Sequence, residues 1–522
     1  MTSNKPIANW TIDALVNWGV RTIICSPGSR NAPLVISALD HPSIEVVTVL
    51  DERSAAFIAL GYLQQQNLPV AVCCTSGSAL ANYHPAVLEA FHSKLPLIVV
   101  SADRPADRIF KGEGQTCFQP NFYQPHIGAS VHWDESSSLA SIKEDVLTLS
   151  KTLAQHLPVH VNCALDEPLY ETTASSPEVE WITAPQTASI QVDWEAIKGT
   201  IFSNGPAAIV VGQLTPKQSE ALRTLLSQSD WNLTFFADPT SGLLDHPHAR
   251  PLQAIVNFTP QTVLSIGGQW IDKKPKFHLR GLPLNTHIHL DPFQAWEVTD
   301  APEFLHIKAP VAALSNLKEV LEEVAISAPA ITLETPALPW SDAAVAQRVF
   351  SLMQPEHTLH LGNSTAVRYF GFFPTLVKVH SNRGVAGIDG SLSTAVGAAL
   401  ADPDHMHWCV LGDQSFIYDS NALHLQCLPE NLTIVVLNNG VGAIFDWLPG
   451  VQKTDLKAQT VFANPLKVSI KGLVDSSGAD YVQVDHLDAL SAALVANGRC
   501  KVIDAQTHDA PNTAVAQQFL RG

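Results

Sequence analysis

Short apolar runs alternate with longer stretches of helical periodicity along most of this chain. NWTIDALVNWGV is amphipathic and predicts a helix capped by its Asn or Thr, and RTIICSPGS predicts a buried strand entering a turn. NAPLVISALD, DERSAAFIALGYLQQQ and ALANYHPAVLEAFHS predict helices. EVVTVL, PVAVCCTSGS and LPLIVVSAD predict strands, and the series closes near VHVNCALDEPLY. Continuous apolar strands separated by helices imply a parallel sheet covered on both faces.

Residues 171–191, ETTASSPEVEWITAPQTASIQ, lack periodicity and carry Pro, Ser and Thr, so a linker is expected. A second α/β block follows, with AAIVVGQL, QTVLSIGG and THIHLDP as its clearest strands. Residues 326–340, AISAPAITLETPALP, form a second expected linker, and a third block starts at about Trp340. The expectation is three parallel-sheet α/β domains, over residues 1–175, 192–325 and 340–522. Each is of ordinary domain size, and no short-period repeat is visible.

Composition narrows the function classes. A chain of 522 residues is too long for one hydrophobic core. With 46% hydrophobic and 15% charged residues it is globular and not disordered. A net charge of −18 argues against nucleic acid and anionic membranes as partners, so an anionic ligand needs a local cluster of cations. The eight cysteines form no CxxC pair, which predicts buried, reduced thiols in a cytosolic protein. No signal pattern opens the chain and no apolar run approaches the ~20 residues of a membrane helix, so a soluble cytoplasmic protein is expected.

Candidate chemistry concentrates at residues 411–445, LGDQSFIYDSNALHLQCLPENLTIVVLNNGVGAIF. One apolar run stops at Gly412-Asp413 and the next at Asn438-Asn439. A right-handed crossover puts both ends on the carboxyl edge of one sheet, where open α/β folds bind ligands. A carboxylate and an amide oxygen there are two hard ligands for a cation, with a backbone carbonyl of NNGVG as a third. The alternative is a helix cap at Asp413 and a plain turn at Asn438-Asn439. GVAGIDGSLSTAVGAALAD lacks the leading strand of a dinucleotide loop, and its small residues fit a close helix pair better.

GDQSF…LNNGVGAIF resembles the GD…NN signature of the thiamin-diphosphate-dependent enzyme family. SPGSRNAPL, DERSAAFIALG, TSGSALANYHPAVLEA, SADRP, GNSTAVR and NRGVAGIDGSLSTAVGAAL extend the likeness from Ser26 to Leu448. Together they resemble the branch of the family that serves menaquinone biosynthesis. The resemblance implies pyrimidine-binding, central and diphosphate-binding domains. It also implies a homodimer or dimer of dimers with active sites between subunits. The implied activity is that of a transferase: 2-oxoglutarate is decarboxylated and its four-carbon unit adds in conjugate fashion to isochorismate, with thiamin diphosphate and Mg²⁺ or Mn²⁺ as cofactors.

By the same resemblance Glu52 is the catalytic acid, hydrogen-bonded to the aminopyrimidine; read alone, it is a first-turn acid of a helix. Asp413, Asn439 and the main-chain oxygen of Val441 are the implied metal ligands. Gly412, Gln414, Ser415, Ile388 and Ile444 complete the implied cofactor contacts, and Phe445 and Leu448 form an apolar wall. Ser29, Arg30, Arg104, Gln115 and Lys273 are implied to hold isochorismate, and Ser364, Arg368 and Arg383 the succinyl-side carboxylate. Arg suits bidentate carboxylate contacts, although a surface ion pair is the plain alternative for each cation. Three departures from the family pattern are Gln414 after GD, Gly114 before Gln115, and Lys274 beside Lys273, so either lysine is a candidate. The rival readings are an acetolactate-synthase-like or simple 2-oxo-acid decarboxylase of the same family, and a non-catalytic protein that kept the fold.

Overall fold

A computed structural model describes residues 1–66, 68–174, 179–181, 192–228, 231, 233–329, 336–373, 375–496 and 498–520. Within them lie three six-stranded sheets, every neighbouring pair parallel. The first sheet runs Glu45–Thr48, Thr22–Cys25, Val70–Cys74, Leu97–Asp103, Val159–Ala164, Ala129–Trp133. The third runs Lys378–His380, Thr358–Leu361, His407–Gly412, Leu432–Asn438, Lys501–Gln506, Asp480–Val484. Numbered within each domain, both have the order 2-1-3-4-6-5. The middle sheet runs Ala249–Pro251, Phe235–Ala237, Ala207–Val211, Thr262–Ile266, Thr286–Leu290, Glu303–Ile307, the order 3-2-1-4-5-6. The first and third orders reverse between their strands 1 and 3 and again between 4 and 6, and the middle order between 1 and 4; open sheets of this kind take ligands in the crevice at such a point, beyond the strands' carboxyl ends.

The first and third domains share one apolar core. Phe57 and Ile58 of the helix Glu52–Gln66 pack with Leu392, Ala395 and Val396 of the helix Ser391–Ala401. Two glycines let the backbones touch. A Cβ at Gly61 would lie 2.2 Å from the Thr394 oxygen, and one at Gly397 would lie 2.1 Å from the Ile58 oxygen. This is the close helix pair that the small residues predicted.

Several local expectations change. The first helix spans Pro6–Asn17 with Lys5 at its cap position and no side-chain cap bond, because Pro6 starts it upstream of the expected Asn or Thr. ALANYHPAVLEAFHS is two helices, Ser78–Asn82 and His84–Ser93, broken at Tyr83 just before Pro85. Thr172–Thr173, placed in the first linker, is a short strand antiparallel to Thr2–Ser3. In the second linker, the Ile326 N–H donates to the Ala207 carbonyl, prolonging the middle domain. Residues 175–178, 182–191 and 330–335 of the expected linkers lie outside the described residues. All eight cysteines are free; six are buried, Cys117 is half-buried and Cys427 is exposed, against the expectation of burial. No helix among the described residues is long and apolar enough to cross a membrane.

Candidate active site

One reversal of the third sheet's order lies between Thr358–Leu361 and His407–Gly412, so residues 362–364 and 412–413 border its crevice. Asp413 opens the short helix Asp413–Tyr418 and is buried. Its Oδ1 accepts from the Gln414 N–H and its Oδ2 from the Gly440 N–H, both at 2.6 Å. Burial pushes its carboxyl up to about 7; the two N–H bonds oppose this, and the nearby Asp342 and Asp504 carboxylates add to it. A carboxylate raised in this way among other carboxylates is an environment that a cation would relieve.

Asn439 follows the neighbouring strand Leu432–Asn438. Its Nδ2 donates to Asp342 Oδ2 at 2.7 Å and its Oδ1 accepts from the Val441 N–H at 3.1 Å. The Val441 oxygen accepts from the Ala443 N–H. Carboxylate, amide and carbonyl oxygens keep further lone pairs after one such bond, so this hard-oxygen set fits Mg²⁺ or Mn²⁺. No group of three or more His, Cys, Asp or Glu among the described residues offers a rival metal site. A Cβ at Gly412 would meet nothing within 4 Å, which leaves room beside Asp413 for a phosphate group. Gly440 has φ +77°, and a Cβ there would lie 2.6 Å from His508 Nδ1.

The other proposed cofactor contacts divide. Ser415 Oγ donates to the Ile388 oxygen at 2.6 Å, tying the Asp413 helix to the loop that follows Arg383. The Gln414 side chain points elsewhere: its Nε2 donates to the oxygens of Ala463 and Asn464. That side chain braces a neighbouring segment. Ile388 and Leu448 are exposed, Ile444 lies in the turn Ala443–Trp447, and the Phe445 ring stands 5.7 Å from that of Phe462.

Arg368, Arg383 and Ser364 lie on the same edge. Arg368 Nη1 donates to the Ser364 oxygen, and its Nε is 3.9 Å from Asp272 of the central domain. Ser364 holds φ +71°, a strained backbone of the kind that clusters at functional sites. Arg383 Nη1 donates to Asn363 Oδ1 at 2.6 Å, while its buried Nε–H has no partner among the described residues. Burial holds both guanidinium groups below their usual range, with Asp272 and Asp238 opposing it at Arg368 and Asp238 opposing it at Arg383. Lys273 begins the helix Lys273–Arg280, next to Asp272, with Lys274 beside it. The lysine that burial acts on is Lys276: its ammonium is pulled below the usual range mainly by burial, with Asp238 opposing and Arg383 adding to it.

The remaining candidates belong to the first domain: Ser29 and Arg30 follow the strand Thr22–Cys25, Glu52 the edge strand Glu45–Thr48, and Arg104 the strand Leu97–Asp103. Ser29 precedes Arg30, whose N–H donates to Thr75 Oγ1 at 3.3 Å. Arg30 is buried; Nη1 donates to the Leu165 oxygen, Nη2 is 3.3 Å from Glu167, and Nε has no partner among the described residues. Arg104 grips the Gly114 oxygen through Nε and Nη2 and pairs with Glu113 at 3.0 Å. Gln115, next in the chain, holds φ +54°. Glu52 begins the helix Glu52–Gln66 and accepts from Asn82 Nδ2 at 3.4 Å. Its neighbours dock on the far end of the Asp413 helix: Arg53 Nη2 donates to the Tyr418 oxygen, and Asp51 Oδ2 accepts from Asn421. No hydrogen bond or ion pair among the described residues joins Glu52, Ser29, Arg30, Arg104 or Gln115 to Asp413, Asn439, Lys273, Arg368 or Arg383 within one chain.

Sequence reasoning missed the residues that hold these groups in place. Asp342, fully buried, takes Asn439 Nδ2 on one oxygen and Thr507 Oγ1 on the other. Asn363 bridges Arg383 to the oxygens of Asn382 and Gly387. Gln119 links the Gly77 N–H to the Ala102 oxygen and to Asn162, whose Nδ2 reaches Asp103 beside Arg104. A lone polar residue in an apolar stretch, such as Asp342 or Asn162, was the available signal.

Comparison with known proteins places this architecture. Residues 6–125 match the family "Thiamine pyrophosphate enzyme, N-terminal TPP binding domain", and residues 361–505 match its "C-terminal TPP binding domain". The fold is similar to that of a thiamine diphosphate-dependent 4-hydroxybenzoylformate decarboxylase from Rhodococcus jostii RHA1, with TM-score 0.73 at 18% identity, covering 96% of this chain and 98% of that one. Fold and domains together define a thiamine pyrophosphate enzyme. A relative from Bacteroides fragilis named 2-succinyl-5-enolpyruvyl-6-hydroxy-3-cyclohexene-1-carboxylate synthase is 34% identical, over 91% of this chain and 90% of its own. One of the same name from Christiangramia forsetii is 30% identical over 99% of both. The chain belongs to the 2-succinyl-5-enolpyruvyl-6-hydroxy-3-cyclohexene-1-carboxylate synthase family.

Proposed function

We propose that this protein decarboxylates 2-oxoglutarate and adds the resulting four-carbon unit to isochorismate, releasing CO₂, in menaquinone biosynthesis. Thiamin diphosphate, when bound, supplies the electron sink for decarboxylation and carbon–carbon bond formation. Asp413, Asn439 and the Val441 oxygen would hold Mg²⁺ or Mn²⁺ against its diphosphate, with Gly412 and Ser415 alongside. Glu52 would hold and move a proton at the aminopyrimidine ring. Ile388, Ile444, Phe445 and Leu448 would wall off the reacting centre from water.

The observation that carries the substrate assignment is the pair of arginines at the third sheet's edge. Arg383 is buried and keeps an Nε–H without a partner among the described residues, and Arg368 is half-buried. A 2-oxo acid with a second carboxylate, such as 2-oxoglutarate, matches that donor set; a small apolar 2-oxo acid does not. Arg30, Arg104, Gln115 and Ser29 in the first domain would receive isochorismate, a second dianion, with Lys273 or Lys276 completing the set. Binding by such fixed cations both orients the reactants and offsets their desolvation.

Because no hydrogen bond or ion pair among the described residues joins the two groups within one chain, the site is proposed to form between the first domain of one subunit and the third domain of another, in a homodimer or dimer of dimers. Exposed Leu50, Phe110 and Phe118, close in sequence to Glu52 and Gln115, support such an interface. The test is product mass from 2-oxoglutarate plus isochorismate, with thiamin diphosphate and Mg²⁺ added. Faster turnover of pyruvate than of 2-oxoglutarate would assign the chain to a different thiamin-diphosphate reaction.

A further inference from the structure

Glu89 lies in the middle of the apolar helix His84–Ser93 of the first domain and is 2% exposed. Its carboxylate reaches into the third domain. Oε1 accepts from the Gly384 N–H at 2.8 Å and from Ser93 Oγ at 2.6 Å, and Oε2 accepts from the Val385 N–H at 3.1 Å. The contact is tight enough to need glycine: a Cβ at Gly384 would lie 2.8 Å from Ser93 Oγ and 2.9 Å from the Glu89 backbone oxygen. Burying a carboxylate between two domains is costly, and an apolar side chain would pack there at less expense. The carboxylate provides something an apolar group cannot, a fork that orients two successive backbone amides.

The central domain holds the same segment from its other side. Gln269 Nε2 donates to the Gly384 oxygen and Gln213 Nε2 to the Ser381 oxygen, both at 2.9 Å. Gln213 and Gln269 follow the strands Ala207–Val211 and Thr262–Ile266, between which the middle sheet reverses its order. That is where a sheet of this topology offers a ligand crevice. Here a strip of the third domain's own backbone meets it. The residue lying between these anchors in the chain is Arg383, on whose guanidinium the charges of Asp238 in the central domain and of Glu89 itself act.

We propose that Glu89 is a positioning residue for the substrate's distal carboxylate: by fixing the Gly384 and Val385 amides against the pull of Gln213 and Gln269, it sets the direction of Arg383. The proposal rests on the reading of Arg383 given above. It also assigns the central domain a part in that positioning, beyond spacing the other two.

The test compares 2-oxoglutarate with 2-oxobutyrate, which has the same reacting end and no distal carboxylate. In Glu89→Gln one oxygen becomes an NH₂ that faces a backbone N–H. The variant is expected to raise KM for 2-oxoglutarate by about tenfold or more, with kcat changed much less. KM for 2-oxobutyrate and for isochorismate should stay within about twofold. Gln269→Ala, which loosens the same segment from the opposite face, should shift the same constant in the same direction and keeps the test open if Glu89→Gln does not fold. Equal losses with both 2-oxo acids, or an unchanged KM for 2-oxoglutarate, would overturn the role of Glu89. A wild-type enzyme that does not distinguish the two acids would instead overturn the reading of Arg383.

Discussion

The Asp413 carboxylate accepts a hydrogen bond from the Gly440 backbone N–H at 2.6 Å, joining the ends of two adjacent parallel strands. The bond holds the acid beside the turn that carries Asn439 and Val441. Asp342 completes the arrangement from behind, gripping Asn439 Nδ2, so that the amide oxygen faces the same turn. Three oxygen donors are thereby held at one turn, the preorganisation that the proposed metal-anchored diphosphate would need.

Cofactor affinity should depend on pH in a defined direction. Burial holds the Asp413 carboxyl up at about 7, above its usual 3.8. A cation takes the carboxylate, so binding below pH 7 must expel a proton, and Mg²⁺-dependent thiamin diphosphate affinity should fall about tenfold per pH unit below 7 and level off above it. The sign for stability is opposite. In the metal-free protein this raised group contributes stability that is fully present below about 3.8 and is lost as pH rises through about 7. Isothermal titration across about pH 5.5 to 8 checks the first point, and a flat affinity profile contradicts it.

Glu52→Gln preserves the helix start and the side-chain volume while removing the acid. Turnover should drop by roughly 10²–10⁴-fold, with thiamin diphosphate affinity changed far less. Full turnover in this variant, measured as CO₂ release, refutes the proton-handling role.

The proposed site between subunits predicts complementation. Neither Glu52→Gln nor Asp413→Asn should be active alone. Mixed subunits, dissociated and reassembled, should regain about a quarter of wild-type activity, since half the dimers are hybrids and each hybrid has one intact site. No recovery in verified hybrids would place each site within one chain.

Gly440→Ala tests the turn. The residue sits at φ +77°, and its new methyl would press on the His508 ring. A loss of about 1–3 kcal/mol is expected from backbone strain and crowding, read as a lower Tm, together with weaker metal binding. Adding His508→Ala should recover the crowding part only.

The strand ends at Asp413 and Asn439 were legible because apolar runs that stop at polar residues are local signals, and a parallel crossover has one favoured hand. The same holds for the three sheets and for the glycines that bring two helices into contact. The helix starts were less legible, since prolines at positions 6 and 85 moved them. Where the Gln414 side chain ends was not legible, because its position beside Asp413 says nothing of where a flexible side chain reaches.

The sequence by itself determined the class of fold, the number of sheets, and which residue types stand at the carboxyl edges, because period, length and turn chemistry act over a few residues. Only the tertiary structure decided what holds them. Asn439 finds Asp342 across 97 residues, and Gly384 finds Glu89 across 295. A buried charge is stable only where several distant elements meet to satisfy it, and that meeting is a property of packing and not of any stretch of chain.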